Sequence, residues 1–288
     1  LRQKEKEETA MGEKIDAKKL LKKAARSTRD AVISVNVADM EMIQAALKAA
    51  ADAKRPIFIA VSERSLSYAT PLTFAAMADA IAKPLKVQYV LHLDHATKLV
   101  SVKEALDAGF NSVMFDGSFY NYESNLNVVR HVVSLCAPYG AAVEAEVGHV
   151  GGQDIVGEIP SSKTDPEQAR RFVEESGIDS LAVSIGNVHG RISEAPKLDF
   201  ELLEKINKAV KTPLVLHGTS WLPKDDIKRC VRLGISKLNL NNAIRGVFVG
   251  AIRNKLSEDT DTLDPREAIG PGRDAFYQAI IEAFKTFD

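Results

Sequence analysis

The chain has 288 residues, 45% hydrophobic and 27% charged, with 38 Lys and Arg against 39 Asp and Glu for a formal net charge of -1. That length suits one α/β barrel with a full core, and the near-neutral balance offers no broad basic field for a nucleic acid backbone. No apolar run reaches membrane-span length, and two distant cysteines, Cys136 and Cys230, make neither a disulfide framework nor a cysteine zinc site, so a reducing, cytoplasmic setting and a small-molecule partner are expected.

In chain order, the charged stretch LRQKEKEETAMGEK (1–14) reads as a flexible extension rather than a signal peptide, and 15–288 reads as one domain. A helical pattern covers 16–27. Eight short apolar runs follow, at 31–37, 56–62, 88–94, 112–117, 141–148, 180–186, 213–219 and 237–242. Between them lie helical patterns such as MEMIQAALKAAADA, DPEQARRFVEESG and DFELLEKINKAV, the second with Asp165 as cap and Pro166 in its first turn. One or two helices come after the eighth run. Strand and helix patterns in strict alternation predict a parallel sheet, here a single (β/α)8 TIM barrel with an extra N-terminal helix and C-terminal helices.

Side chains alternate between the two faces of a strand. In the third run Leu91 and Leu93 oppose His92 and Asp94, and in the fifth Val143, Ala145 and Val147 oppose Glu144 and Glu146. In the seventh, Leu214 and Leu216 oppose Val215 and His217, and in the eighth Leu238 and Leu240 oppose Asn239 and Asn241. The apolar face must meet the helices, so the other face lines the barrel. Asn36, Ser62, Asp94, Asp116, Glu146, His217 and Asn239 all fall late in their strands on that inner face. Burying so many polar groups is costly unless they pair or bind something, and the carboxyl ends of the strands carry the active site in this fold.

Three histidines share that end: His95 after the third strand, His189 in GNVHG after the sixth, and His217 at the end of the seventh. Each alone reads better as an ordinary hydrogen-bonded histidine, because their spacing is long and irregular, and only their shared location brings a metal site level with that reading. Together they can supply three neutral nitrogens and leave one coordination position open, which suits a catalytic divalent metal. His92 reads as a buried partner of the site, His131 as a structural helix residue, and His149 as either. The loop 149–164 is long for this fold and reads as a lid or binding loop, with Gly151 and Gly152 able to act as a hinge.

The motifs LHLDHATK, SVMFDGS, VEAEVGHVGGQD, DSLAVSIGNVHG, PKLDFELL, PLVLHG and KLNLN, in that order, resemble the class II, metal-dependent ketose-bisphosphate aldolases over about Leu20 to Leu256. The resemblance implies that His95, His189 and His217 bind a catalytic zinc or another divalent transition metal, with Glu146 an alternative ligand or a close neighbour. It implies that Asp94 is the acid/base, and that Asn36, Ser62 and Asn239 contact substrate. Gly190, Gly218 and Ser220 match phosphate-binding backbone loops, and Thr219, Asn241 and Asn242 stand at the same barrel end. A monovalent cation beside the phosphate is a further expectation. The implied reaction takes the C4 hydroxyl proton onto Asp94, breaks C3–C4, and leaves an enediolate that the metal stabilises and to which Asn239 can donate. Asp154 stands where the family has a glutamate and reads equally as the second acid, with a shorter reach, or as a solvated loop carboxylate.

Three departures fall on the parts that hold substrate. Trp221 replaces a small residue after the phosphate-loop serine. Asn242 and Ala243 replace a threonine and an acid. Glu63, Arg64 and Ser65 follow Ser62 where small residues are usual, and Arg64 reads first as a solvated side chain and second as a contact for another phosphate. The leading reading is a cytoplasmic, homodimeric or homotetrameric aldolase that splits a ketose 1,6-bisphosphate of fructose or tagatose type into dihydroxyacetone phosphate and glyceraldehyde 3-phosphate. One alternative keeps the chemistry on another sugar, such as a ketose 1-phosphate. A second, from another class, is a non-catalytic relative that binds sugar phosphate or stabilises a partner aldolase.

Overall fold

Each of the eight apolar runs becomes a parallel strand: β1 (Val32–Asn36), β2 (Ile57–Ser62), β3 (Gln88–Ala96), β4 (Ser112–Phe115), β5 (Ala142–Val147), β6 (Ser180–Val183), β7 (Leu214–Leu216) and β8 (Ile235–Leu240). Hydrogen-bonded neighbours run β3-β2-β1-β8-β7-β6-β5-β4, and β3 also pairs with β4, so the sheet closes into the expected TIM barrel. The computed structural model describes residues 12–154, 157–159, 161–190 and 195–287. The eighth strand begins two residues before the expected 237 and stops at Leu240, which leaves Asn241 and Asn242 in the turn that follows.

The extra N-terminal helix, α1 (Ala17–Ala24), is capped by Asp16, whose side chain accepts from the Lys19 amide. Just before it, Glu13–Lys14 pairs in parallel with Gln88–Tyr89 at the start of β3. These two residues, assigned from sequence to the flexible extension, are thus part of the sheet. The helices that follow the strands are α2 (Met40–Ala53), α3 (Glu63–Tyr68) with α4 (Pro71–Leu85), α5 (Leu99–Asp107), α6 (Tyr122–Cys136), α7 (Pro166–Ser176), α8 (Phe200–Ala209), α9 (Lys224–Arg232) and α10 (Asn242–Glu258). A last helix, α11 (Pro265–Phe284), packs on both α10 and α2.

The core has two compartments. Outward residues such as Leu91, Leu93, Val143 and Leu216 pack on the helices with Ile43, Leu47, Phe172 and Leu203. Inside the barrel, Val32, Phe58, Val90 and Ala142, which stand early in their strands, meet Ala17 and Leu21 of α1. Helix α1 therefore closes the amino end, and access is left to the carboxyl end. Leu21 is buried, so Leu21→Ala is expected to cost about 2–5 kcal/mol of stability, read as a lower denaturation midpoint in urea. An unchanged midpoint would show that α1 is not part of the folding unit.

Candidate active site

Strict alternation along β3 puts Asp94 inside and would turn His95 outward. The chain breaks that alternation. The register against β4 shifts between Leu93 and Ala96, and His95 has φ +49, a left-handed conformation that a residue with a Cβ seldom adopts. The irregularity brings His95 back over the barrel mouth beside Asp94, where both line one cavity. His95 Nδ1 lies 2.9 Å from Asp116 Oδ2, and Nε2 lies 3.0 Å from His217 Nδ1.

His217, directly after β7, has Nε2 2.9 Å from Glu144 Oε1. The carboxylate can only accept, so Nε2 carries the proton and Nδ1 keeps its lone pair toward His95. The other Glu144 oxygen accepts from Lys237 Nζ at 2.7 Å, all within the barrel interior.

His189 is placed by its neighbours' backbones. Its amide donates to Gly151 O at 2.8 Å, and buried Asn187 donates from Nδ2 to His217 O at 3.0 Å, tying the loop after β6 to the end of β7. Gly152 (φ +150) bridges to His189. A Cβ at Gly152 would stand 2.3 Å from His189 O, and one at Gly218 (φ +63) 2.4 Å from Val188 O. Gly152 thus packs against the His189 backbone instead of serving as the expected hinge. The loop it begins forms an antiparallel hairpin, Gly152–Asp154 with Gly157–Ile159. Gly152→Ala is expected to displace His189 and weaken metal binding by about 10- to 100-fold, the usual effect of disturbing a ligand's support, measured by competition with a zinc chelator. Unchanged affinity would remove His189 from the ligand set.

Nitrogens of His95, His189 and His217 lie within 4.8 Å of one another, and His95, Asp116 and Glu146 form a second such group. Burial and the positive charge of His95 hold His189 down to about 3, and burial first of all lowers His217, so both present neutral rings. Burial would also lower His95, but Asp94 and Asp116 outweigh it and raise the ring to about 10. A proton between His95 and His217 thus stands where a cation would satisfy the same lone pairs and the same carboxylates. Burial, then Asp116, raises Glu146 to about 8. Its Oε1 accepts from the Val150 amide, while Oε2 is buried without a partner among the described residues. Among the described residues His189 Nε2, His149 Nε2, Asn36 Oδ1 and Asn239 Oδ1 are buried without partners as well, and all five residues line the cavity. Buried polar atoms are rarely left unpaired except where something binds. Three imidazoles that would all be neutral once an ion takes the place of the proton on His95, with carboxylates close by, fit a divalent transition metal.

The cavity holds about 490 Å³, within the usual range for a small-molecule site. Asp94 sits between two amides: Asn36 Nδ2 donates to Oδ2 at 2.7 Å and Asn239 Nδ2 to Oδ1 at 3.1 Å. Burial works against its charge, but His95 and His217 prevail and lower it to about 2. Ser62 lines the cavity and caps α3 by accepting from the Ser65 amide. Gly190, Gly218, Thr219, Ser220, Asn241 and Asn242 gather along the mouth beside β7 and β8. Thr219 Oγ1 donates to Asn239 O at 2.5 Å, and Ser220 Oγ accepts from the Ala243 amide at 3.2 Å, so these hydroxyls join the two loops. Trp221 donates from Nε1 to Gly190 O at 2.6 Å and is not part of the lining. Asp154 ends the first hairpin strand, and its side chain lies outside the described ones.

Glu144, Asn187, Lys237 and Arg245 take places that sequence reasoning did not assign. Lys237 had a signal, since it shares the inward parity of Asn239. Glu144 was placed on the inner face without a role. Asn187 lies inside the GNVHG motif, while nothing in the pattern around Arg245 marked it as a cavity residue.

The family model described as Fructose-bisphosphate aldolase class-II matches residues 15–288. A fructose-bisphosphate aldolase of Geobacillus stearothermophilus is 38% identical over 278 residues, 95% of this chain and 96% of that one. The YdjI aldolase of Escherichia coli K12 has a similar structure, with TM-score 0.83, 31% identity, and coverage of 96% of this chain and 97% of that one. A fructose-bisphosphate aldolase of Campylobacter jejuni shares the fold at TM-score 0.83 and 24% identity, covering 97% of each chain. The chain belongs to the class II fructose-bisphosphate aldolase family.

Proposed function

We propose that this aldolase reversibly cleaves a ketose 1,6-bisphosphate, of fructose or tagatose type, to dihydroxyacetone phosphate and glyceraldehyde 3-phosphate. His95, His189 and His217 hold a divalent transition metal, zinc first, and Glu146 stands by as an alternative ligand. The observation that carries this reading is the convergence of three imidazoles and an ionised, amide-clamped Asp94 in one cavity at the barrel mouth. When bound, the ion supplies a Lewis acid that draws electron density from the substrate carbonyl.

The remaining steps belong to the chain's own residues. Asp94 takes the C4 hydroxyl proton as C3–C4 opens, with its two oxygens oriented by Asn36 and Asn239. Asn239 faces the departing three-carbon fragment. Backbone amides in the turns Gly218–Ser220 and Asn241–Asn242, with that at Gly190, receive the C1 phosphate, as turns and helix starts do elsewhere. Asp154, at the end of the first hairpin strand, is the residue assigned to return a proton at C3. The cytoplasmic setting fits Cys136 and Cys230, both buried as free thiols, and a homodimer or homotetramer is to be read from sedimentation.

The test is release of triose phosphate from a panel of phosphorylated ketoses, before and after chelation and with zinc restored. Activity on a ketose bisphosphate should vanish with the chelator and return with zinc. Activity indifferent to chelation would refute the mechanism. A preference for a ketose 1-phosphate would keep the chemistry and change the sugar, and zinc-loaded protein that binds without turnover would be a non-catalytic relative.

A further inference from the structure

The turn Thr219–Trp221 directs its three consecutive side chains to three different neighbours. Thr219 donates to Asn239 O on β8, and Ser220 accepts from the Ala243 amide at the start of α10. Trp221 donates from Nε1 to Gly190 O at 2.6 Å, in the loop after β6. The first two partners lie on the adjoining strand and helix, within reach of a short hydroxyl side chain. Gly190 lies on the other flank of β7, and the indole spans that gap. A small residue after the serine, the usual choice in the family, could not.

The loop after β6 is tied down at several points before it reaches Gly190. Asn187 donates to His217 O at 3.0 Å, the His189 amide donates to Gly151 O at 2.8 Å, and Gly218 packs on Val188 O. Among the described residues, Gly190 itself makes no hydrogen bond except the one from Trp221. Its φ is +87, a region that glycine enters and leaves at little cost. A donor on its carbonyl selects one of the conformations open to it. The indole N–H only donates, so it can hold that oxygen and cannot turn to serve as an acceptor elsewhere.

We propose that Trp221 is a positioning residue: its indole latches Gly190 to the turn after β7 and presets the spacing of the two backbone stretches that receive the C1 phosphate. The inference rests on the phosphate assignment within the aldolase reading. Gly190 and Gly218–Ser220 line the cavity, whereas Trp221 stands outside the lining and acts through them. Holding a loop in its bound form before the ligand arrives strengthens binding by removing an ordering cost. The latch therefore bears on phosphate-dependent affinity and leaves the ion and Asp94 as they are. A departure from the family pattern thus tunes substrate affinity without entering the cavity.

Equilibrium binding separates this role from turnover. Trp221→Phe keeps an aromatic ring and removes the N–H, and Trp221 is 40% exposed, so the variant should fold. Calorimetry on the full-length, zinc-loaded protein would compare dihydroxyacetone phosphate with dihydroxyacetone, which lacks the phosphate. The variant should bind dihydroxyacetone phosphate about three- to tenfold more weakly, the scale of one neutral hydrogen bond, with affinities for dihydroxyacetone and for zinc within about twofold of wild type. In turnover of the ketose bisphosphate the loss should appear in KM, with kcat kept. Unchanged affinity for dihydroxyacetone phosphate would overturn the proposal. So would a loss shared equally by dihydroxyacetone, or a fall in zinc affinity, since either would make Trp221 a support for His189 and not for the phosphate turns. Those results would leave the aldolase reading standing. Wild-type protein that binds the two ligands equally would remove the phosphate site itself, and the reading and the latch would fall together.

Discussion

Asp94→Ala protein is expected to fold, to keep its metal, and to lose about 10²- to 10⁴-fold in kcat, the usual contribution of a positioned acid or base. Asp94 is buried and accepts from Asn36 and Asn239, but it belongs to neither group of potential ligands that converges within 4.8 Å. Its removal therefore strikes proton transfer and spares the imidazoles. Two buried amides lose their acceptor, which costs about 1–3 kcal/mol of stability and should appear as a lower denaturation midpoint. Metal content measured beside kcat distinguishes a chemical loss from a lost ion. A metal-loaded Asp94→Ala protein that turns over at the wild-type rate would strip Asp94 of its role.

The parts of this molecule that follow a period were legible in the sequence. The eight strands appear as apolar runs because one face of each must meet the helices, and the inward parity of Asp94, Glu146 and Asn239 follows from the pleat alone. His95 could be located but not aimed. Its ring reaches the cavity only because the strand slips register and the residue takes a left-handed φ, and no periodic pattern records such a break. Gly152 was read as a hinge since glycine permits motion. Glycine also permits close approach, and only the position of the His189 carbonyl decides between them. Arg245 was missed because a helix pattern does not say which of its first-turn residues looks across the barrel mouth. Trp221 was recognised as a departure, yet its hydrogen bond to Gly190 depends on two loops far apart in sequence.

The buried pair beneath the histidines should have the largest effect on stability. Lys237 and Glu144 are both buried, 2.7 Å apart, and Glu144 also holds the His217 ring. Burial alone would raise the Glu144 pKa. Lys237 first, then the His217 hydrogen bond, reverses that and leaves it well below the ordinary glutamate value. Lys237→Met removes the main partner and strands a carboxylate in the barrel, a change expected to cost about 3–5 kcal/mol. A carboxylate whose folded pKa is depressed contributes stability above its unfolded pKa and loses it as pH falls toward the folded value. The deficit of the variant against wild type should therefore be full near neutral pH and narrow through the ordinary carboxylate range. Combining it with Glu144→Gln removes the buried charge yet leaves an oxygen for His217 Nε2, so the double variant should recover more than half of the loss in urea denaturation at neutral pH. If Lys237→Met alone is as stable as wild type, the pair holds nothing together. If the double variant is no better than the single one, the loss comes from packing around Lys237 and not from the stranded charge.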